Sequence, residues 1–258
     1  MNQSILPPAK PADPPLDTQV KVLATRYRNA RGVGLKALGA LGAHADGLLD
    51  RLPASARDGL DGATLKALEF SFEAAAITRA TVPDSSHWMT RALTIGTGAV
   101  GGFGGLPSAL AELPVTTTVI LRAIQTIADA HGFDPSHPDT RAECLQVFAS
   151  AGPLAEDDGT DLSFLTLRVS VTGATLHTLI KQVAPKLALV LGQKLAAQTV
   201  PVLGAVTGAA INYSFTSYYQ EMAHVSFGLR KLAEETGSDR AALIEMFRRE
   251  ISGGGVVR

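Results

Sequence analysis

Two long segments of the chain carry no charged residue, and they constrain the fold more than any other feature of the sequence. Ala92–Ala111 and Leu195–Gln220 are rich in alanine and glycine. A membrane-spanning helix needs about 20 predominantly apolar residues. Glycines and Pro107 dilute the first segment, and polar side chains dilute the second. We therefore expect both segments to form the packing centre of the fold rather than to cross a membrane.

Glycines four positions apart recur in these segments, a spacing that lets two helix backbones approach closely along one face. Residues 96–101 also satisfy the G-x-G-x-x-G pattern of dinucleotide sites. That site requires a strand before the glycines and an uninterrupted helix after them, whereas further glycines and Pro107 follow at once. Close helix packing is therefore the preferred interpretation. The pairs are Gly98 and Gly102, Gly101 and Gly105, and Gly204 and Gly208.

Apolar residues recur at helical rather than strand spacing along most of the chain. Because strands and helices do not alternate, the sequence predicts an all-α, compact multi-helix domain rich in alanine and glycine. The segment 161–180 fits either a buried strand or a helix, and we favour the helix. Gly132 and Gly237 indicate the ends of two helices. The predicted helices include 61–81, 108–130, 185–197, 202–235 and 240–251, the last capped by Ser238.

The composition favours a protein that hides much of its surface. Charged residues make up only 18% of the chain, below the roughly 25% of ordinary domains. The net charge of −1 provides no field for nucleic acid, so no nucleic-acid partner is expected. A single cysteine, Cys144, is expected in the core, and together with a proline-rich start it favours a cytoplasmic protein. We expect a disordered lead-in over 1–16, one helical domain over 17–251 and a flexible tail over 252–258.

Polar residues stand in apolar surroundings at Glu112, Arg122, Gln125, Asp129 and Asn212. The candidates for a ligand-binding cleft are Glu112, Arg122, Asn212, Glu221 and His224. Glu112 and Arg122 lie ten positions apart in one predicted helix, so they would not pair directly. Burying either of them alone costs several kcal/mol, so each needs a partner elsewhere. An internal polar network that fixes the helix register is one interpretation, and a ligand cleft is the other.

Glu221 and His224 form a Glu-x-x-His pair, which is half of the ligand set of a di-iron site. No other histidine lies three residues after a glutamate, so a second half is missing. The sequence also contains no H-E-x-x-H, G-x-S-x-G or paired-cysteine zinc pattern. We expect no metal and no cofactor, and we interpret the two residues as a hydrogen-bonded pair beside the core. No catalytic residue is identified, and whether the protein is an enzyme stays open.

Two segments, taken together in their order and spacing, resemble the EcsC family, which is named after a bacterial protein encoded beside an ABC transporter. The similarity covers roughly residues 70–237. In the family pattern an aspartate usually stands where this chain has Glu112, so the carboxylate is kept but its reach differs. The matching stretches are Gly101–Pro114, continuing through Arg122–Ala128 to Gly132, and Lys194–Asn212, followed by His224 and Leu229–Leu232.

This resemblance implies a bacterial, intracellular, peripherally membrane-associated protein with a link to transport or secretion. It implies no reaction and no catalytic residue. We therefore expect an accessory protein that acts by association with a membrane surface, a transporter subunit or a second copy of itself. The alternative is a small-ligand-binding or hydrolase-like protein whose cleft contains the five polar candidates.

Overall fold

The computed structural model describes residues 14–40, 48–81, 105–150, 152–154, 162–166, 176–198 and 205–253. Regular structure within these ranges is entirely helical, so the predicted all-α fold is confirmed. The helices are α1 (Leu16–Ala40), α2 (Ala54–Thr81), α3 (Gly105–Ala130), α4 (Pro138–Phe148), α5 (Ser163–Thr166), α6 (Leu176–Gln198), α7 (Ala205–Thr236) and α8 (Arg240–Gly253), with a 3-10 turn at Leu48–Arg51.

The longest of these helices, α7, lies at the centre and packs against α1, α3, α4 and α8. A second group forms where α2 packs against α3 and α6. Aromatic rings join the central contacts edge to face, an arrangement that their quadrupoles favour. Phe148 of α4 meets Tyr219 of α7 at 5.0 Å between ring centroids, and Tyr27 of α1 meets Phe247 of α8 at 5.6 Å. One continuous core therefore connects the first and last helices.

Two helices end at glycine as the sequence predicts, because Gly132 and Gly237 have φ values of 91° and 65° in the left-handed region. The predicted Ser238 cap is wrong. The Ser238 hydroxyl is engaged by Thr236 at 2.7 Å, and the Asp239 carboxylate instead accepts the Ala242 amide at 3.2 Å. A side-chain oxygen that reaches the third amide of a helix is the usual N-terminal cap, so α8 begins after Asp239.

The predicted starts of two helices are wrong. Helix α2 begins at Ala54 rather than at 61, because the Pro53 carbonyl accepts the Arg57 amide at 3.1 Å and starts the helix there. The predicted start at 185 is also wrong, since α6 begins at Leu176 and runs through Pro185. An interior proline costs about 3 kcal/mol. Apolar residues that α6 buries on both sides of the proline offset that cost: Leu179, Ile180, Leu187 and Leu191.

The charge-free segments are only partly within the described residues. In the second segment, Leu195, Ile211 and Phe215 are buried, as expected of a packing centre, while Tyr213 is 38% exposed. Residues 92–104 and 199–204 lie outside the described ranges, and so do the G-x-G-x-x-G pattern and at least one member of each glycine pair. No helix in the described part of the chain combines the length and the apolar character needed to cross a membrane.

Candidate ligand-binding groove

A groove of about 470 Å³ runs between α1 and the C-terminal half of α7. This volume lies in the range of small-molecule sites, about 300–1,000 Å³. Leu23, Gly228 and Leu232 are buried and form its apolar floor. The residues around the groove combine apolar and polar side chains: Pro14, Thr18, Gln19, Val22, Leu23, His131, Gly228, Lys231, Leu232 and Glu235.

The missing side chain of Gly228 sets how closely the two walls of the groove approach. A Cβ atom at this position would lie 2.8 Å from Leu23 Cδ2 of α1, which is closer than real Cβ contacts. An ion pair joins the same two helices further along, where Arg26 Nη1 donates to Glu221 Oε2 at 2.7 Å. Close packing and this ion pair together fix the spacing of α1 and α7, so the groove is preformed.

A turn at the end of α3 places His131 at one end of the groove. The Gly132 amide donates to the Asp129 carbonyl at 2.8 Å, and the Phe133 amide donates to the Ala128 carbonyl at 3.0 Å. These two bonds define a Schellman motif, which needs the left-handed glycine that follows His131. His131 is thereby held as the C-terminal cap residue of α3, and it lines the groove.

His131 forms a hydrogen bond with the second histidine of this region, His224 on α7. His131 Nε2 and His224 Nδ1 lie 3.1 Å apart, and one nitrogen must donate while the other accepts. The bond therefore holds a neutral or a singly protonated pair and is lost when both rings carry a charge. Burial lowers the pKa of His131 below its ordinary 6.5, and the positive charges of Lys231 and Arg26 lower it further.

The structure brings together two of the five predicted site residues. Glu221 and His224 lie one turn apart on α7 near the groove, bonded to Arg26 of α1 and to His131 respectively. The described residues contain no cluster of three or more histidine, cysteine, aspartate or glutamate side chains arranged for a metal ion.

The other three candidates lie further along their helices. Asn212 is buried in the core, nine residues before Glu221, which is about 13 Å along α7 at 1.5 Å per residue. Arg122 is partly buried and lies nine residues before His131 on α3, again about 13 Å away along the axis. Glu112 belongs to α3, but its side chain lies outside the described set.

Sequence reasoning missed Arg26, His131 and Lys231, although a signal for them exists. On α7 the residues of the region recur at positions 221, 224, 228, 231, 232 and 235, which is one face of a helix. On α1 they recur at 18, 19, 22, 23 and 26, again on one face. The sequence marks only the helix end at Gly132, and the role of the preceding His131 depends on a contact with a residue 93 positions away.

Comparison with known proteins identifies one family. A model of the EcsC protein family matches residues 64–232, well over half of the chain. The matched region contains the end of α3 with His131 and the part of α7 from Glu221 to Lys231. Helix α1, which forms the opposite wall of the groove, lies outside it. No curated protein and no solved structure matches the chain.

Proposed function

The chain belongs to the EcsC protein family, and we propose that it is an accessory protein that acts by binding a small ligand in the groove between α1 and α7. The protein would play this accessory role in membrane transport or secretion, which is the context that the family resemblance implies. The observation that carries the proposal is the groove itself, with its buried apolar floor and the His131–His224 hydrogen bond at one end.

The geometry favours ligand binding because the groove is already formed in the free protein. Preformed sites bind more tightly, since less conformational freedom is lost on association. The Schellman turn fixes His131, the Arg26–Glu221 ion pair joins the two walls, and Gly228 keeps the walls close. Apolar surface beside a few oriented polar groups is the usual composition of a small-molecule site.

Nuclear magnetic resonance of the 15N-labelled protein tests this proposal. A mixture of neutral, cationic and anionic small molecules is added, and we expect amide shift changes to concentrate at groove positions such as Thr18, Gln19 and Gly228. Thr18→Trp places a large ring in the groove and should abolish these changes. Lys181→Trp, on an exposed position of α6, is the matched control and should leave them intact. Shift changes scattered over the surface, or equal in both variants, would exclude the groove as a binding site.

A second candidate function is peripheral contact with a membrane surface. Phe70 of α2 and Val115 of α3 are 63% and 48% exposed. They are brought near each other because the Ser71 hydroxyl of α2 donates to the Pro114 carbonyl of α3 at 3.0 Å. Lys66 lies exposed one turn before Phe70. Exposed apolar side chains beside a lysine are suited to the interface of an anionic bilayer.

Vesicle sedimentation tests this second candidate with a matched pair of variants. We expect Phe70→Glu to reduce binding to vesicles that contain phosphatidylglycerol. The control is Leu189→Glu, because Leu189 is 51% exposed on α6 and should have no such effect. If the wild-type protein does not sediment with vesicles, or both variants lose binding equally, this surface is not a membrane contact.

A further inference from the structure

Two residues of the groove lining, His131 and Lys231, indicate what kind of ligand it takes. We propose that the groove binds an amphiphile whose carboxylate or phosphate group is held by His131 and Lys231, with its apolar part along the floor. This inference rests on the binding function proposed above and adds the chemical class of the ligand.

Lys231 is available to an anion because its present contact is weak. Its Nζ atom lies 3.8 Å from Glu235 Oε1, which is too long for a hydrogen bond. The two side chains are 44% and 56% exposed, and an exposed pair of this kind contributes little to stability. Lys231 can therefore turn toward an anion in the groove without a large loss.

Charged groups of α1, α3 and α7 lie around His131. The cations that act on it are Arg26 from α1 and Lys231 from α7. Of the carboxylates on α7, Glu221 is occupied by Arg26 at 2.7 Å, and Glu235 lies beside Lys231. The His224 ring is bonded to His131, and the exposed carboxylate of Asp129 belongs to α3, two residues before His131. Arg26 is therefore already neutralised, whereas Lys231 holds only a long contact with Glu235, so an anion in the groove would pair with Lys231.

The rest of the groove suits a short apolar body. Leu23 of α1 and Leu232 of α7 form a buried apolar floor, and Val22, which lines the groove from α1, is 54% exposed. The amide of Gln19 and the hydroxyl of Thr18 add hydrogen-bonding groups on α1. His131 and Lys231, which would hold the anion, lie within the family match at 64–232, whereas the side of the groove formed by α1 lies outside it. We expect the choice of apolar body to depend on α1.

A proton should accompany the ligand. Burial, and after it the positive charges of Lys231 and Arg26, disfavour the charged form of His131 in the free protein, and a bound anion would favour that form. Reciprocal linkage then requires the anion to bind more tightly to the protonated protein. Binding of the anion should raise the pKa of His131, so the protein should take up a proton on binding. The affinity for the anion should rise as the pH falls from neutral through that pKa.

Calorimetry with defined probes tests the inference. We would titrate the full chain with hexanoate, hexyl phosphate and the uncharged analogue hexanamide, in buffers of different ionisation enthalpy to detect proton uptake. The two anions should bind at least tenfold more tightly than hexanamide. Lys231→Gln and His131→Gln should each weaken hexanoate binding by tenfold or more. Lys181→Gln, a change of exposed charge on α6, should have no effect.

The outcomes separate this inference from the proposed function. If hexanamide binds in the groove as tightly as hexanoate, the ligand class is wrong while the binding function stands. If none of the probes, charged or neutral, perturbs the groove, both fail. If vesicles with phosphatidylglycerol shift the groove resonances and soluble anions do not, the anionic group belongs to a lipid, and Lys231→Gln should remove that shift. A vesicle shift that survives Lys231→Gln would overturn the proposal.

Discussion

Glu143 on α4 joins three helices, and its removal should destabilise the protein more than that of any exposed carboxylate. Its side chain is only 7% exposed and accepts three hydrogen bonds. Ser226 donates at 2.6 Å, Arg240 of α8 at 2.6 Å and Arg230 of α7 at 3.3 Å. The perturbation that tests this arrangement is Glu143→Gln, which keeps the shape of the side chain and removes its charge.

The expected loss follows from the burial of the three partners. Removing one side of a buried charge pair costs about 3–5 kcal/mol. Arg230 and Arg240 keep 21% and 27% of their side-chain exposure, so each regains part of its hydration. We therefore expect Glu143→Gln to lower the free energy of unfolding by about 2–3 kcal/mol.

Urea unfolding followed by far-ultraviolet circular dichroism measures this loss, with an unchanged denaturant slope as the check on two-state behaviour. The matched control is Glu245→Gln on α8, which breaks a 2.6 Å pair with Arg248 whose side chains are 43% and 50% exposed. That change should cost about 0.5 kcal/mol or less. A loss below about 1 kcal/mol for Glu143→Gln, or one equal to the control, would refute the reasoning.

The same network supports the groove. Arg230 lies over the Phe133 ring, with its guanidinium carbon 4.0 Å from the centroid. Phe133 donates its amide to the turn that holds His131. Releasing Arg230 by Glu143→Gln should therefore shift the His131 side-chain resonances, while Glu245→Gln should leave them in place.

Three further predictions follow from single residues. Thr216 is fully buried, and its hydroxyl has no hydrogen-bond partner among the described residues. Thr216→Val should therefore raise the free energy of unfolding by about 1 kcal/mol, seen as a higher urea midpoint. A lower midpoint would show that the hydroxyl is bonded. Because the pKa of His131 is lowered in the folded protein, the unfolded chain binds more protons between that lowered pKa and the ordinary value of 6.5. The free energy of unfolding should therefore fall as the pH drops through this range, and His131→Gln should reduce its dependence on pH. Gly152 and Gly132 both have a positive φ, of 85° and 91°, but a Cβ at Gly152 would lie 2.7 Å from Val190 whereas one at Gly132 meets nothing within 4 Å. Gly132→Ala should therefore lower the free energy of unfolding by about 1–2 kcal/mol, and Gly152→Ala by about 1–3 kcal/mol more. Equal losses of stability in thermal unfolding would contradict the packing argument.

Much of the fold could be predicted from local pattern. Helical spacing of apolar residues gave the all-α class, and Gly132 and Gly237 marked true helix ends because both positions require a positive φ. Cys144 was expected in the core and is fully buried. The errors arose where distant contacts decide. The pattern alone does not show that α6 packs well enough to include Pro185.

The site was harder to predict because it is built from residues far apart in the chain. Glu221 and His224 were found from their spacing on one helix. Their partners, Arg26 and His131, lie 195 and 93 positions away, and no local pattern links them. Asn212 was chosen as a polar residue in an apolar segment, and such a residue lies in a core as readily as in a cleft.

The most direct test of the account is the titration of the His131 ring by nuclear magnetic resonance, with and without saturating hexanoate. In the free protein, the midpoint should lie below the ordinary histidine value of 6.5, because the ring is half-buried beside Lys231 and Arg26. With hexanoate bound, the midpoint should move upward, and the Lys231→Gln variant should lose most of that movement. A midpoint that hexanoate leaves unchanged would contradict the claim that this groove holds an anionic ligand at His131.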